Sequence, residues 1–420
     1  MTQPTQPTTT TDDQLETALF RPTGFLFGAV PERPGVLPRI VTAAPPTGPP
    51  LGPLENFTGT FHGNGFNTIF RPQNPATPSA LPTPVPDSDN VLELNLTSET
   101  LSFSTSLGTV PNRGEVQGDI GLNGVPYLQT VSDITDPPLP GKNPPGIHFE
   151  PGLWVIVPTT TDPQEGQTLT RMASIPHGTT INAQGTSFPP ISGPPTIKPV
   201  NTANTTPPNG ITPFVAGSQP PHLISFPSQT AATGGTARIP QDLTSFIAAG
   251  TITQELLDDP NTLLRNHIAH QNIVSTTTIV VATDPASPLF GGGADNIAFL
   301  LGDAAALTNP NAKGQNAQTL SMQAIFWIET VESQIVVPPF TPGHPPLTIA
   351  GEAPHPGLPA PRFHVAPPVP ITQPRTITVR FIQIQYSQTV FLNFNGLTWP
   401  HVSVATLVAH DPILVPPSVF

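Results

Sequence analysis

Proline constrains the fold of this chain more than any other residue, because it occupies 61 of the 420 positions. The proline ring fixes the backbone φ angle and leaves no amide hydrogen, which excludes it from helix interiors and central strands. Most of these prolines must therefore lie in long, stiff loops that wrap around a core. With 34 glycines added, the proline and glycine content still stays below the level of about 25–30% that indicates a disordered chain.

The hydrophobic residues make up 36% of the chain and occur in strand-length runs bounded by proline, glycine and asparagine. Residues 91–96 alternate between apolar and polar, and residues 100–106 continue the alternation as the predicted second strand of a hairpin. Within residues 376–394 the apolar positions change phase between Phe381 and Ile382, which predicts a β-bulge or a corner. About ten such strands with short turns predict a single all-β, antiparallel barrel.

Changes in composition suggest how the chain is organised. Residues 1–50 form a predicted arm rich in proline and threonine, and residues 51–420 form one large barrel domain. Two insertions, at about residues 185–270 and 338–374, interrupt the strands and are expected to wrap around the barrel.

The first insertion contains the one region with a helical pattern, where we expect one or two short helices. In the second of these, Asp259 is the predicted N-cap and Pro260 takes the first helical position.

The charge of the chain argues against several classes of partner. The net charge is −13, and no cluster of lysine and arginine occurs, which argues against nucleic acid and anionic membrane surfaces as partners. No apolar run approaches the about 18 residues of a membrane span, and the polar N-terminus does not resemble a secretory signal, so we expect a cytoplasmic protein. The absence of cysteine excludes disulfides, thiolate-bound heme and iron–sulfur clusters.

A histidine opens the last predicted strand, which follows an Asn-Gly turn near the C-terminus. Alternate residues of a strand share a face, so His401 lies on the side of Ser403, Ala405 and Leu407. The opposite face is β-branched and suits packing against another layer; it contains Val402, Val404, Thr406 and Val408. Small side chains leave room in front of the imidazole, which is what a heme with one protein ligand needs. A histidine that caps the strand end by hydrogen bonds remains the alternative.

Three segments, in the same order along the chain, resemble the nitrobindin-like heme-binding β-barrel family of the calycin superfamily. Residues 59–69 resemble its opening strand, residues 146–154 resemble its His-x-Glu-x-Gly strand, and residues 397–407 resemble the final strand with the heme-ligating histidine. The chain departs from the family where Phe61 replaces a tryptophan. Its length also makes residues 185–375 largely additional.

The resemblance implies a calycin-like barrel that holds one b-type heme, with His401 as the iron ligand. We predict Phe61, His148 and Trp399, one from each segment, as further contacts of the heme. Such a protein would handle nitric oxide or peroxide, or oxidise an apolar substrate in a peroxidase-like reaction. The sequence does not predict the oligomeric state.

Arg171 and His177 are the candidate catalytic residues of that reaction. A distal histidine can take a proton from peroxide, and an arginine can stabilise the departing oxygen. An ordinary turn with an exposed histidine is the alternative for the Pro-His-Gly sequence at His177. Met172 is a candidate second axial ligand or, alternatively, a core residue.

His148 and Glu150 share one face of a predicted strand, where the pair would orient a ligand, relay protons or simply lie at the barrel rim. Asn266, His267 and His270 would bind a metal only if further ligands converge. The remaining histidines of the second insertion are more typical of a surface than of a zinc site; they are His344, His355 and His364.

Two further hypotheses remain open. In the first, a heme-free barrel binds or isomerises a hydrophobic small molecule in a pocket lined by aromatic residues. The candidates for that lining are Phe61, Tyr127, Trp154, Phe326 and Trp327. In the second, the chain is a structural β-sandwich without a pocket of ligand size.

Overall fold

The computed structural model describes residues 47–72, 90–113, 117–135, 140–200, 214–215, 244–283, 292–296, 300, 317–394 and 397–420. The predicted N-terminal arm lies outside these residues except for its last four. The strands are β1 (Gly59–Pro72), β2 (Asn90–Phe103), β3 (Val110–Asn112), β4 (Ile120–Asp133), β5 (Gly146–Val157), β6 (Thr160–Thr161), β7 (Gln164–Glu165), β8 (Thr168–Ser174), β9 (Thr179–Ser187), β10 (Ile191–Ser192), β11 (Phe214–Val215), β12 (Asn272–Ala282), β13 (Gly292–Asn296), β14 (Gln318–Val337), β15 (Leu347–Ala350), β16 (Arg362–Val365), β17 (Arg375–Phe394), β18 (Leu397–Ala409) and β19 (Ile413–Leu414).

Ten of these strands close into an antiparallel barrel, which confirms the predicted fold class. The order around the barrel is β12-β14-β17-β18-β1-β2-β4-β5-β8-β9, and the pairing of β9 with β12 closes it. Closure leaves these ten strands without a free edge. The remaining strands are short additions, among them the separate sheet β15-β16-β19.

The middle of the barrel is filled by a hydrophobic core in which aromatic rings pack edge to face and face to face. The Trp154 and Phe326 ring centroids are 5.1 Å apart, and those of Phe326 and Tyr386 are 5.6 Å apart. Phe61, Phe103 and smaller apolar side chains complete the same cluster. The middle of the barrel is therefore a packed core.

The outside of the barrel carries a second apolar layer beneath three short helices, α1 (Thr244–Ala248), α2 (Gln254–Asp258) and α3 (Asn261–Ile268). The predicted capping of this helix is confirmed by the hydrogen bonds, although the regular helix α3 begins one residue later, at Asn261. Asp259 has an extended backbone and its carboxylate accepts the backbone N–H of Asn261, as an N-cap side chain does. Pro260 follows it with helical dihedral angles.

None of the helices in the described ranges has the length and apolar character that crossing a membrane requires.

The phase change in β17 is not a bulge. β17 pairs with β18 and with the corresponding part of β14 without a register shift near Phe381. Residues before this point, such as Ile377 and Val379, pack outside the barrel under the sheet β15-β16-β19, whereas Ile384 and Tyr386 face the barrel core. The apolar pattern changes phase because the covered side of the strand changes, while the pairing of the strand continues without a shift.

Candidate functional site

A cavity of about 270 Å³ lies at one end of the barrel, and three histidines from different strands and turns line it. They are His401 on β18, His148 on β5 and His177 on the turn between β8 and β9. The sequence predicted each of them as a site residue. The barrel brings these three together although 253 residues separate His148 from His401.

The face of β18 that the sequence assigned to a pocket does line this cavity. His401 and Ser403 are part of its wall, and Ala405 continues the same face into the barrel core. On the opposite face Val402 and Val404 are fully buried in the cluster beneath α2 and α3. The alternation of β18 is explained by these two different environments.

Glycines on the inward face of β1 create room for the polar part of the site. A Cβ atom on Gly65 would lie 2.2 Å from the Val404 carbonyl oxygen and 2.8 Å from Glu99 Oε1. Two residues further along the same face, Asn67 lines the cavity. The absence of a side chain at Gly65 therefore makes space for a buried carboxylate.

Arg171 on β8 is the centre of a buried hydrogen-bond network behind the cavity wall. Its Nη2 donates to Glu150 Oε1 at 2.6 Å, its Nε to the Tyr127 hydroxyl at 2.9 Å, and its Nη1 to Gln388 Oε1 at 2.6 Å. Arg171 and Glu150 are 2% and 0% exposed, and Tyr127 also bonds to Glu150. A buried ion pair needs this kind of full hydrogen bonding to offset its loss of water.

Glu150 is an anion in this environment. Burial alone would raise the pKa of Glu150, but the Arg171 guanidinium and the hydrogen bond from His148 outweigh it and lower the pKa to about 2. A carboxylate that stays charged over the whole neutral range can orient a neighbouring imidazole and stabilise its protonated form.

His148 is the neighbour that Glu150 orients. Its Nε2 lies 3.0 Å from Glu150 Oε2, and its side chain is 23% exposed. The rings of His148 and His177 meet edge to face with centroids 5.1 Å apart. Burial and the nearby His148 lower the pKa of His177. The predicted face-sharing pair of His148 and Glu150 is therefore hydrogen-bonded in the structure and borders the cavity.

A second carboxylate, Glu99 on β2, reaches the cavity from the other side. It accepts hydrogen bonds from the Tyr386 hydroxyl at 2.6 Å, from Thr97 at 2.9 Å and from Gln129 at 3.2 Å. Burial raises the pKa of Glu99. The surroundings of Glu150 and Glu99 thus move their pKa values in opposite directions, which is a frequent property of acid–base sites.

His401 has a more enclosed position than the other two histidines. Its Nδ1 is buried and has no hydrogen-bond partner in the described part of the chain. Its Nε2 lies 3.4 Å from Asn67 Nδ2, which also donates to Ser403 Oγ at 3.0 Å. Burial, with a smaller effect of the nearby His148 and His177, lowers the pKa of His401 to about 4, so the imidazole is neutral at pH 7.

The structure separates other predicted site residues from this cavity. In the pairing of β1 with β18, Ile69 lies opposite His401, and Phe61 lies opposite Ala409. Eight residues of extended strand separate Ile69 from Phe61, which places Phe61 about 26 Å from the position opposite His401. It lines a different cavity, of about 370 Å³. Trp399 pairs through its backbone with Leu392, and its side chain lies outside the described part of the chain.

Arg171 does not line the cavity, because its three donor nitrogens all bind protein groups. Met172 is 43% exposed on the other face of β8. The predicted pairing of Arg171 and His177 over a common ligand therefore does not form. Instead, Arg171 supports the cavity wall from behind.

The aromatic residues proposed for a hydrophobic pocket have other positions. Trp154 and Phe326 belong to the packed barrel core, whereas Trp327 lies in the cluster on the outside. His267 is a buried residue of α3, and its ring contacts Thr406 Oγ1 at 2.8 Å and the ring of His355. Among the described residues, no three His, Asp or Glu side chains converge as a metal-binding group.

The residues around His401 do not fit a heme held by this histidine. Of its two nitrogens, Nδ1 is enclosed and Nε2 faces the Asn67 amide nitrogen, so the ring would have to rotate to reach iron. The cavity is slightly below the about 300–1,000 Å³ of pockets that enclose drug-sized ligands, and a heme is larger than most of these. Its wall contains the buried polar groups of Glu99, Gln129 and Gln388, whereas a porphyrin face needs an apolar slot.

Comparisons with known proteins give no family for this chain: no family model, no curated protein and no solved structure matches it. The resemblance to nitrobindin-like proteins stays a prediction from the sequence.

Proposed function

We propose that this chain binds a small, partly polar organic molecule in the cavity bordered by His148, His177 and His401, without a heme. The observation that supports this most strongly is the charged network of Arg171 and Glu150 directly behind the cavity wall. A packed apolar core would be at least as stable without a buried ion pair. Perturbed titratable groups beside a cavity are typical of functional sites.

The lining of the cavity indicates the chemistry of the ligand. Glu99, the imidazoles and the amides of Gln129 and Gln388 offer hydrogen-bond donors and acceptors. Apolar side chains, including Ile181 and Met322, form other parts of the wall. The ligand would therefore be small, with an apolar body and one or two oxygen or nitrogen groups.

This proposal modifies the heme-free alternative that the sequence suggested. That alternative expected a hydrophobic ligand among aromatic side chains, but Trp154 and Phe326 fill the barrel core with each other. The space lies nearer the barrel end, where polar as well as apolar residues line it. A polar group on the ligand would satisfy side chains that a purely apolar molecule would leave unpaired.

Ligand-observed NMR with cyclopentanone, cyclohexanol and phenol tests the proposal. The Ser403→Phe substitution fills the cavity, and Ser104→Phe places the same side chain at an exposed position after β2. We expect saturation transfer to at least one probe in the wild type and in the Ser104→Phe variant, and none in the folded Ser403→Phe variant.

Equal signals in all three proteins, or no signal in any of them, would overturn the proposal. A hemin titration on the same samples decides against the heme alternative if no stoichiometric Soret band forms. A Soret band that His401→Ala removes would replace the proposed function with heme binding.

A further inference from the structure

One arginine holds two groups of the cavity wall at the same time. Arg171 binds Glu150, which in turn binds His148, and through Nη1 it binds Gln388. His148 and Gln388 both line the cavity, whereas Arg171 and Glu150 lie behind it. A buried group that orients two side chains of the cavity wall is the arrangement that preorganises a reacting site.

The hydrogen bond to Glu150 determines which nitrogen of His148 is basic. Because Glu150 is an anion, its Oε2 accepts and His148 Nε2 donates the proton. The other ring nitrogen, Nδ1, then keeps its lone pair. A carboxylate that fixes one tautomer of a histidine and stabilises its protonated form is the usual partner of a histidine general base.

The hydrogen bond from Arg171 determines the orientation of the Gln388 side-chain amide. A guanidinium can only donate, so the oxygen of the amide must be the atom that faces it, at 2.6 Å from Nη1. The amide N–H bonds therefore point away from Arg171. Side-chain amides in this role stabilise negative charge that develops on a substrate oxygen.

We propose that this cavity catalyses proton transfer at the carbon next to a carbonyl group, with His148 as the general base and Gln388 as the hydrogen-bond donor to the carbonyl oxygen. The proposal rests on the small-molecule site proposed above. The substrate class is a small ketone that fits a cavity of about 270 Å³.

The reaction needs no further reactant. A proton leaves the α-carbon for His148 Nδ1, and the electron pair of the broken C–H bond forms the C=C bond of an enolate. The C=O π pair moves to oxygen, whose charge accepts a hydrogen bond from Gln388 Nε2. The imidazolium then returns a proton to the same carbon or, where the substrate has a neighbouring double bond, to the far carbon of the dienolate, which moves that double bond.

Deuterium exchange of cyclopentanone in D₂O, followed by proton NMR, tests the inference. We expect exchange by the wild type to fall about 10²–10⁴-fold in His148→Gln, as for removal of a general base. In Gln388→Met, which keeps the length of the side chain but loses the donor, we expect a fall of about 10²–10³-fold. The controls His344→Gln and Gln334→Met make the same changes at exposed positions and should exchange at the wild-type rate.

Saturation transfer measured on the same samples separates this inference from the proposed function. If cyclopentanone binds but the wild type exchanges it no faster than the Ser403→Phe variant does, the catalytic inference is wrong and ligand binding stands. If His148→Gln and Gln388→Met bind and exchange like the wild type, the assignment of these two residues is wrong. If no probe binds, both proposals fail together.

Discussion

Two buried polar networks lie on the inner and the outer side of the barrel, and they differ in whether they contain charged groups. The inner network, around Arg171 and Glu150, is ionic and adjoins the cavity. The outer network lies on the outside of the barrel near α3 and connects Glu329, Gln383 and Gln271. The two networks therefore differ in charge and in whether the cavity lined by the three histidines adjoins them.

In the outer network no cation binds the carboxyl group within the described chain. Gln383 Nε2 donates to Glu329 Oε2 at 2.6 Å and to Gln271 Oε1 at 3.0 Å, and Glu329 is 0% exposed. Burial raises the pKa of Glu329 to about 8, which leaves the group mostly protonated at pH 7. Burial also lowers the pKa of the nearby His267 to about 3. The outer network is thus neutral, whereas the inner one needs Arg171 because it keeps a charge.

Removal of Arg171 should have the largest effect on stability. In Arg171→Met the Glu150 charge stays buried without its partner, and breaking such a pair costs about 3–5 kcal/mol. Urea unfolding measures this cost. Arg380→Met is the matched control, because Arg380 is 63% exposed in its pair with Glu332 and exposed pairs are worth about 0–1 kcal/mol. Similar losses in the two variants would contradict the difference between buried and exposed pairs.

The outer network predicts a dependence of stability on pH. The folded-state pKa of Glu329, about 8, exceeds the ordinary value of 4.5, so the folded state holds a proton that the unfolded state has released. The contribution of this proton to the free energy of unfolding is complete below pH 4.5 and is lost as the pH rises through 8. The free energy of unfolding falls by up to about 1.4 kcal/mol per pH unit over this range.

Urea unfolding at several pH values tests this dependence, and Glu329→Gln should flatten it over that range. Glu332→Gln is the control at a partly exposed carboxylate. A wild-type slope that Glu329→Gln leaves unchanged would show that Glu329 is already ionised in the folded protein.

The glycine face of β1 predicts a smaller effect. A methyl group in Gly65→Ala would press on the Val404 carbonyl and on Glu99, and overpacking of this kind costs about 1–3 kcal/mol. Gly146→Ala is the control, because a Cβ atom there meets nothing within 4 Å. Thermal unfolding compares the two variants. Equal melting temperatures would mean that β1 can move away from β18 without cost.

Local sequence patterns predicted the faces of single strands better than the site. His401 and Val402 were assigned to the correct sides because one side of β18 faces the cavity and the other is covered by helices. The same reasoning predicted a bulge or corner in β17, where one side of the strand is covered before Ile382 and the other side after it. An alternation of apolar residues identifies a covered side and cannot say what covers it.

The site itself depends on strand order, which the sequence did not predict. Arg171 meets Gln388 across 217 positions, and Glu99 meets Tyr386 across 287. Glu99, Tyr386 and Gln388 were therefore missed, although an acidic residue among the alternating apolar residues of β2 was a usable signal. Phe61 was assigned to the site of His401 because both lie in segments that resemble the nitrobindin-like family. The register of β1 with β18 separates the two residues.

The most direct test of the two networks is histidine-selective ¹⁵N NMR of the whole protein during a titration with cyclopentanone. We predict that His148 has the proton on Nε2 before the titration and that its Nδ1 signal shifts as the ketone binds. The signals of His267, whose backbone carbonyl binds Gln271 of the outer network, should stay unchanged. A His148 that is insensitive to bound cyclopentanone, or that shifts no more than His267, would contradict the claim that the inner network positions a reactive group at the cavity.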